Sequence, residues 1–512
     1  MKMKSQAKLS FVFHLLVLSL FSALQTTAFA QSSSGRAEVF PRMEPDPMAL
    51  NFYNEGRRGY SWTDLAEISL WASGASSLNA AAPADASYLE RIIKIAEAVN
   101  TSAQLPKADR DKAEFILDYM HKNILKYYST NQTRIDTMLT GSRYNCVSSA
   151  VLYMILCKSA ALDVAGVATR DHAFVSVHIN GEDIDVETTN PYGFDPGNRR
   201  EFHDQFGRLT GFAYVPARNY RDRQMISPME LISLIIRNRI SELESTNRFA
   251  EAIPLAIDRA ALLNGSTLTG SGGGDLSDTL FEDPYKTLLD RIFNYGAFLL
   301  RSGKEEECLR WAGFASPLYP DENRWPEFVL AAVNNRLTKY VQANQITEAR
   351  DFLKNHGHFL TPADYTRFDH MLIDTGLANS ASRIRDAEDS YNLVAAIEEA
   401  RKNQTISDKR ANELFTYAIQ RTASILSSGR DWLAAINYIE NAVARFGSNS
   451  ELEQSLQIYR NNRASDFHNR FATAWNRGNY DEAGRILNEG LSEFPNNRLL
   501  LADRETLNKN RQ

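Results

Sequence analysis

Three residues of the types that together perform nucleophilic catalysis lie in one stretch of the chain: Cys146, His172 and Glu187. In such sites a thiolate attacks a carbonyl carbon, a histidine carries its proton, and a third group orients the imidazole. Asn145 is a strong N-cap residue type, and the apolar residues after it recur at helical spacing, which predicts a helix that begins at Cys146. A thiol in the first turn lies at the positive end of the helix dipole, which favours the reactive thiolate.

A predicted hairpin indicates which acid faces the histidine. The alternating segment Ala173–Ile179 predicts a strand, and the Asn-Gly pair after it favours a two-residue turn into a second strand. In that register Glu187 lies diagonal to His172, at roughly 7 to 8 Å between backbones, and Asp185 lies one pair further away. We therefore predict Glu187 as the orienting acid. A bulged or longer turn would shift the pairing and make Asp185 the alternative.

The other cysteines indicate packing rather than chemistry. The chain has three cysteines, too few for a disulfide framework. Cys157 lies about three turns beyond Cys146, roughly 16 Å along a straight helix, so the two cannot form a disulfide. Cys308 lies at the small-residue position of a predicted helical repeat. His178 is too far along its strand to serve the same thiol as His172, and we predict a surface histidine.

Helical elements surround this stretch on both sides. Helical patterns precede it at residues 61–72, 87–99 and 107–126, and from residue 228 to the end the chain indicates helices separated by short breaks. A repeat unit recurs there, with Gly or Asn as a turn residue and a small residue five positions later. The units are Asn247 to Ala252, Gly303 to Cys308, Asn344 to Ala349, Gly429 to Ala434 and Gly478 to Ala483. This spacing predicts closely packed helical hairpins.

The order and spacing of Cys146, His172 and Glu187, together with the Asn-Gly hairpin, resemble the transglutaminase-like branch of the papain-type thiol superfamily. The resemblance covers about residues 107–211. It departs from the family where Phe174 replaces a tryptophan and where Glu187 replaces an aspartate. The resemblance implies an α+β transglutaminase-like domain, which we expect at residues 61–227. It also implies that Cys146 is the nucleophile, His172 the general base and Glu187 the orienting acid.

The C-terminal units resemble another family. Tyr480, Ala483 and Pro495 look like the second half of a tetratricopeptide repeat. The spacing between units varies, so the predicted array is degenerate. The resemblance implies an all-α solenoid of helical hairpins at residues 228–512, which would bind a protein partner or a peptide substrate.

The N-terminus indicates export. Lys2, Lys4 and Lys8 precede an apolar run at residues 11–24, and Ala28 and Ala30 complete an A-x-A cleavage pattern. We predict a signal peptide at residues 1–30, an irregular segment at 31–60 and a secreted or periplasmic protein. No later apolar run is long enough to span a membrane, so we expect no transmembrane segment after cleavage.

Composition argues against several other classes of protein. The formal net charge is −6 and no basic tract is present, so we expect no nucleic-acid partner. The sequence has no H-E-x-x-H, no paired C-x-x-C and no phosphate-binding glycine motif, so we predict no cofactor and no metal. His356 and His358 form an isolated H-x-H pair that we interpret as incidental. The glycines at residues 270–274 predict a surface loop.

Two functions agree with these patterns. In the first, the chain is an exported thiol enzyme that hydrolyses or transfers protein or peptide amide bonds, with the repeats binding the substrate or a partner. In the alternative, both parts form a catalytically inactive transglutaminase-like and tetratricopeptide-like scaffold for protein–protein interaction in the cell envelope. The reactivity of Cys146 discriminates between them.

Overall fold

The computed structural model describes residues 40–509, with gaps at 57–58, 76–82, 103, 171, 198–201, 203–206, 209–222, 266–282 and 321. The predicted signal peptide and the glycine-rich loop at 270–275 lie outside the described residues. All of the elements named below belong to one unit that begins at Arg42.

Six helices precede or contain the predicted nucleophile. They are α1 (Pro47–Gly56), α2 (Trp62–Ala72), α3 (Pro83–Asn100), α4 (Asp109–Asn123), α5 (Ile135–Gly141) and α6 (Cys146–Ser159). Helix α2 begins after Ser61, whose side chain accepts a hydrogen bond from the Asp64 amide while Asp64 accepts one from the Ser61 amide. The three helical patterns expected before the cysteine are confirmed, with ends that differ by a few residues.

Helix α1 corrects the expectation of an irregular segment at residues 31–60. It lies within that segment and buries Ala49 and Phe52. The edge of the Phe52 ring packs against Trp71 of α2, with ring centroids 5.7 Å apart. Tertiary burial of two apolar residues therefore stabilises a helix whose sequence is too short to show clear periodicity.

The strands form two small sheets. Strands β1 (Tyr127–Tyr128) and β2 (Arg143–Tyr144) pair in parallel. Strands β3 (Asp163–Ala168), β4 (Ala173–Ile179), β5 (Glu182–Val186) and β6 (Gln224–Ile226) form an antiparallel sheet in the order β5-β4-β3-β6.

The predicted hairpin register is confirmed. Ser176 faces Asp185 and Val177 faces Ile184 across β4 and β5. The two turn residues between the strands, Asn180 and Gly181, have φ angles of 51° and 86°. Two positive φ angles in succession are what this tight hairpin turn requires, and an Asn-Gly pair adopts them most easily.

Helix α6 is enclosed by the elements around it. Its residues from Val147 to Cys157 are all buried, and it packs against α2, α4, β3 and β4. A helix that is enclosed on every side needs apolar residues all round rather than on one stripe. The enclosure fixes the direction of the helix and hence the position of its first residue, Cys146.

Thirteen further helices are described after β6. They are α7 (Pro228–Ser245), α8 (Phe249–Asn264), α9 (Pro284–Arg301), α10 (Glu305–Ala315), α11 (Trp325–Gln342), α12 (Ile346–His356), α13 (Pro362–Ser382), α14 (Ala387–Lys402), α15 (Asp408–Leu426), α16 (Trp432–Phe446), α17 (Ser450–Asn476), α18 (Tyr480–Glu493) and α19 (Arg498–Lys509). Each packs against the next along the chain, and α9, α11, α13, α15 and α17 also contact the next helix but one. This is the contact pattern of stacked helical hairpins.

Four of the five predicted repeat units have the expected geometry. Their turn residues have positive φ angles and their small residues are buried: Asn247 and Ala252, Gly303 and Cys308, Asn344 and Ala349, Gly478 and Ala483. The fifth, Gly429 to Ala434, is displaced by one residue. Arg430 has the positive φ angle there and Ala435 is the buried alanine, because Ser427–Gly429 form an extra 3-10 turn.

The described chain is therefore mostly helical, with a small sheet portion and repeat-like helical content. None of its described helices combines the length and the apolar character needed to cross a membrane.

Candidate active site

Cys146 is the first residue of α6, as the sequence predicts. The Asn145 side chain accepts a hydrogen bond from the Ser148 amide at 3.0 Å, and the Ser148 hydroxyl accepts one from the Asn145 amide at 2.9 Å. The Asn145 side-chain nitrogen also donates to the Thr130 carbonyl at 3.1 Å. These three bonds anchor the start of the helix on both sides of the thiol. Cys146 itself is half-buried.

His172 and Glu187 are in direct contact. Nε2 of His172 lies 2.6 Å from Oε2 of Glu187, and their side chains are 10% and 2% exposed. The hairpin produces this contact, since β4 begins one residue after His172 and β5 ends one residue before Glu187. The acid that the register favours is therefore the acid that the structure brings to the histidine.

The imidazole of His172 interacts with the Cys146 thiol as well as with Glu187. The side chains of Cys146 and His172 are within hydrogen-bonding contact. Burial lowers the pKa of His172, but the charges of Glu187 and Cys146 and hydrogen bonds to both raise it, and the net result is well above the ordinary value. A raised pKa means that the His172 ring keeps its proton and its positive charge to a higher pH than a free imidazole. Because Glu187 occupies Nε2, Nδ1 is the ring nitrogen left for the thiol.

Asp185, the alternative acid, is engaged elsewhere. Its carboxylate forms two hydrogen bonds with the guanidinium of Arg223, at 2.5 and 2.6 Å. The same guanidinium lies 5.5 Å from the centroid of the Phe174 ring, which stacks on His172. Asp185 and Phe174 therefore support the histidine strand without contact between Asp185 and the imidazole.

A hydroxyl and an amide hold the Glu187 carboxylate, and further hydrogen bonds hold the loop that carries it. Oε1 accepts hydrogen bonds from the Thr189 hydroxyl at 2.7 Å and the Thr189 amide at 3.2 Å. The Thr188 hydroxyl lies 2.8 Å from that of Ser149, one turn beyond Cys146 on α6. The Tyr144 hydroxyl donates to the Thr189 carbonyl at 3.0 Å. The loop that carries the acid is thus tied directly to the helix that carries the thiol.

His121 adds a buried contact to the same loop. Its Nε2 lies 3.1 Å from the Thr188 carbonyl and therefore donates to it. Burial lowers the pKa of His121 to about 4, despite that bond, which favours the protonated form. Sequence reasoning missed His121 and both threonines. The Thr-Thr pair directly after Glu187 was the available signal.

The remaining cysteines and histidines lie where the sequence suggests. Cys157 and Cys308 are buried, and burial raises the pKa of each thiol to about 12. His178 is exposed and pairs with Asp183 at 2.9 Å. His356 and His358 each contact a backbone carbonyl of their own turn.

A cavity of about 510 Å³ opens onto Cys146 and His172. Tyr128 of β1 lines it, and so do residues of the β3–β4 turn and one side of α7. Tyr128 is half-buried, and in the parallel pair of β1 and β2 it lies opposite Tyr144, which precedes Cys146 by two residues. Burial raises the pKa of Tyr128, and the charges of Cys146 and Glu187 add to the effect. The Tyr128 hydroxyl therefore keeps its proton at physiological pH and can donate a hydrogen bond.

The cavity brings a thiol, Cys146, together with two possible proton donors, His172 and Tyr128, and this combination suits covalent chemistry at a carbonyl carbon.

Within the described part of the chain, no group of three or more His, Cys, Asp or Glu residues is arranged to hold a metal ion. Comparison with protein-family models gives no match, and comparison with curated proteins gives no significant match. The residues and their geometry therefore carry the functional argument.

Proposed function

We propose that this chain is an exported thiol enzyme that hydrolyses or transfers protein or peptide amide bonds through Cys146. The observation that carries the proposal is that His172 contacts the buried carboxylate of Glu187 at 2.6 Å and shares a cavity with Cys146, whose thiol interacts with the imidazole. A structural histidine needs no thiol at one ring nitrogen and a carboxylate at the other. A nucleophilic site needs both.

In the proposed reaction the Cys146 sulfur attacks the amide carbon and forms a thioester, while the C–N bond breaks. His172 holds the thiol proton and delivers it to the leaving amine. Water or an amine then attacks the thioester, gives its proton to His172 and releases the acyl group with regeneration of the thiol. Glu187 orients the imidazole and stabilises its charged form.

The oxyanion of the tetrahedral intermediate needs preorganised donors. The backbone amide of Cys146 is one, because the first amides of a helix have no partner within it. We propose the Tyr128 hydroxyl as the second, since Tyr128 lines the same cavity and interacts electrostatically with Cys146.

The transglutaminase-like fold of residues 61–227 and the tetratricopeptide-like array of residues 228–512 belong to the same proposal. A helix that carries cysteine at its start and packs on an antiparallel sheet carrying histidine supports the first. The stacked hairpins support the second, and they would bind a protein partner or the substrate. Export is tested by the mass of the mature chain, which should begin at Gln31.

The decisive experiment is thiol labelling of the full chain in its native state. Iodoacetamide should modify Cys146 much faster than Cys157 or Cys308, which are both buried. His172→Asn should slow the modification of Cys146. His178→Asn is the matched control, since His178 lies on the same hairpin but faces Asp183.

Labelling alone shows a reactive thiol, so a second measurement tests acyl transfer. Wild type and Cys146→Ala are incubated with a mixture of peptides, quenched with acid and analysed by mass spectrometry. An acyl adduct on Cys146 that is absent from Cys146→Ala supports the enzyme. Equally slow labelling of all three cysteines and no adduct would favour the catalytically inactive scaffold.

A further inference from the structure

One side of α7 forms a polar wall of the cavity beside Cys146. Its cavity-lining residues are Leu234, Arg237, Asn238, Ser241, Glu242 and Ser245. Their spacing of three and four residues places them on a single helix face, about 16 Å long. Leu234, at the N-terminal end of this face, is buried like its neighbours Leu231 and Ile235, whereas the lining residues from Arg237 onward are polar. The polar face is therefore turned toward the space where a substrate would lie.

Two arginines, Arg170 and Arg237, line this cavity. Arg237 of α7 is half-buried, and Arg170 lies in the turn between β3 and β4, two residues before His172. Within the described part of the chain, neither forms an ion pair. The arginines nearby differ, since Arg223 pairs with Asp185 and Arg134 pairs with Asp136.

Among the described residues that line the cavity, Glu242 carries the one carboxylate. Glu242, on the same wall, is exposed and is not within ion-pair distance of either arginine among the described contacts. The described lining of the cavity thus holds two guanidinium groups and one exposed carboxylate.

We propose that the cleft binds peptides with a free carboxylate close to the scissile amide, and that Arg237, assisted by Arg170, holds that carboxylate. This inference rests on the proposed function of Cys146. A guanidinium matches a carboxylate with two parallel hydrogen bonds, and partial burial makes such a bond stronger than one in open solvent. The carboxylate is either the C-terminus of the peptide or an acidic side chain.

A pair of alkylating probes tests the charge of the cleft. Iodoacetate carries a carboxylate and iodoacetamide is its neutral isostere, so the ratio of their rates at Cys146 reports the local preference for an anion. Arg237→Met should lower this ratio about tenfold, as expected from losing one nearby charge in a partly buried site. Arg170→Met should lower it less, because Arg170 is exposed.

Arg248→Met is the matched control. Arg248 lies in the turn after α7, pairs with Glu251 and is not among the lining residues of the cavity. Its substitution therefore removes the same charge from the same region. Its ratio should equal that of wild type. Equal ratios in wild type and Arg237→Met would overturn the inference and leave the proposed function intact. Equal losses in Arg237→Met and Arg248→Met would also overturn it, since they would indicate only a general field.

The failure of the proposed function gives a different result, namely a Cys146 that reacts with neither probe. The source of the carboxylate is distinguished by protection of Cys146 from iodoacetamide by three peptides: acetyl-Ala-Ala, acetyl-Glu-Ala-amide and acetyl-Gln-Ala-amide. Stronger protection by the first indicates a C-terminal carboxylate, and by the second an acidic side chain. Equal protection by all three contradicts the inference.

Discussion

The Glu187 carboxylate and the His172 ring meet at 2.6 Å, with the carboxylate almost completely buried. Oε2 faces the imidazole, and Oε1 faces the hydroxyl and amide of Thr189. Each carboxylate oxygen thus has its own donor, which fixes the plane of the carboxylate as well as its position. An acid held in this way can keep one imidazole orientation through the reaction.

The first prediction separates the two acids of the hairpin. Glu187→Gln keeps the shape of the side chain but removes the charge that raises the pKa of His172. As the pH rises, the imidazolium therefore loses its proton at a lower pH in the variant than in wild type. Alkylation of Cys146 at pH 6 should fall by at least about tenfold, and acyl transfer by about 10²- to 10⁴-fold. The rate is measured as a function of pH. Asp185→Asn should leave this profile unchanged, since Asp185 contacts Arg223; an equal effect of both changes would contradict our assignment.

The second prediction concerns the hydroxyl of Thr189. Thr189→Val removes a buried, charge-assisted hydrogen bond to Glu187, which should cost about 1.5 to 3 kcal/mol of folding free energy. Thr189→Ser should restore most of it. Urea unfolding measures the stability, and the pH profile of Cys146 alkylation measures the orientation of His172. A stability loss with an unchanged profile would show that Thr189 has no positioning role.

The third prediction tests the oxyanion donor. Tyr128→Phe should lower the rate of acyl transfer by about 10²- to 10³-fold while the alkylation of Cys146 changes little, because alkylation forms no oxyanion. Acyl-adduct formation is measured by mass spectrometry after acid quenching. The neighbouring Tyr127 is 66% exposed and does not line the cavity, so Tyr127→Phe is the control. If both variants keep the wild-type rate, the second donor lies elsewhere.

The fourth prediction is a pH dependence of stability. The pKa of His121 is about 4 in the folded chain and near 6.5 when unfolded, so the unfolded state takes up the proton first as pH falls. The stabilising effect is full above pH 6.5 and declines toward pH 4, by at most about 3 kcal/mol. His121→Gln can still donate to Thr188 but does not titrate in this range. Urea unfolding at pH 7 and pH 4.5 should show a smaller loss in the variant than in wild type.

The sequence predicts the local parts of this site well. An N-cap residue and apolar spacing are enough to place Cys146 at a helix start, because both signals lie within one helix. A two-residue turn likewise determines the register of β4 and β5, and that register selects Glu187 over Asp185. These features depend on residues that are neighbours along the chain.

The remaining site residues depend on contacts that short patterns do not encode. Tyr128 reaches Cys146 through the pairing of two strands of two residues each, which is too short to show any periodicity. Arg237 lies on a polar helix face, which in a sequence is indistinguishable from a solvent-exposed one. Only the packing of α7 against α6 and β3 turns that face toward the thiol.

Helix α7 has a consequence for the modularity of this chain. The break in pattern between residues 227 and 228 suggests two exchangeable parts, yet α7 packs on α6 and β3 as well as on α8. The boundary between the sheet-bearing part and the helical array therefore passes through the cavity beside Cys146. Excising residues 61–227 would open that chamber to bulk water, and transplanting a different helical array would replace one of its walls. A substitution on the cavity-lining face of α7 would therefore change the shape and charge of the cavity beside Cys146.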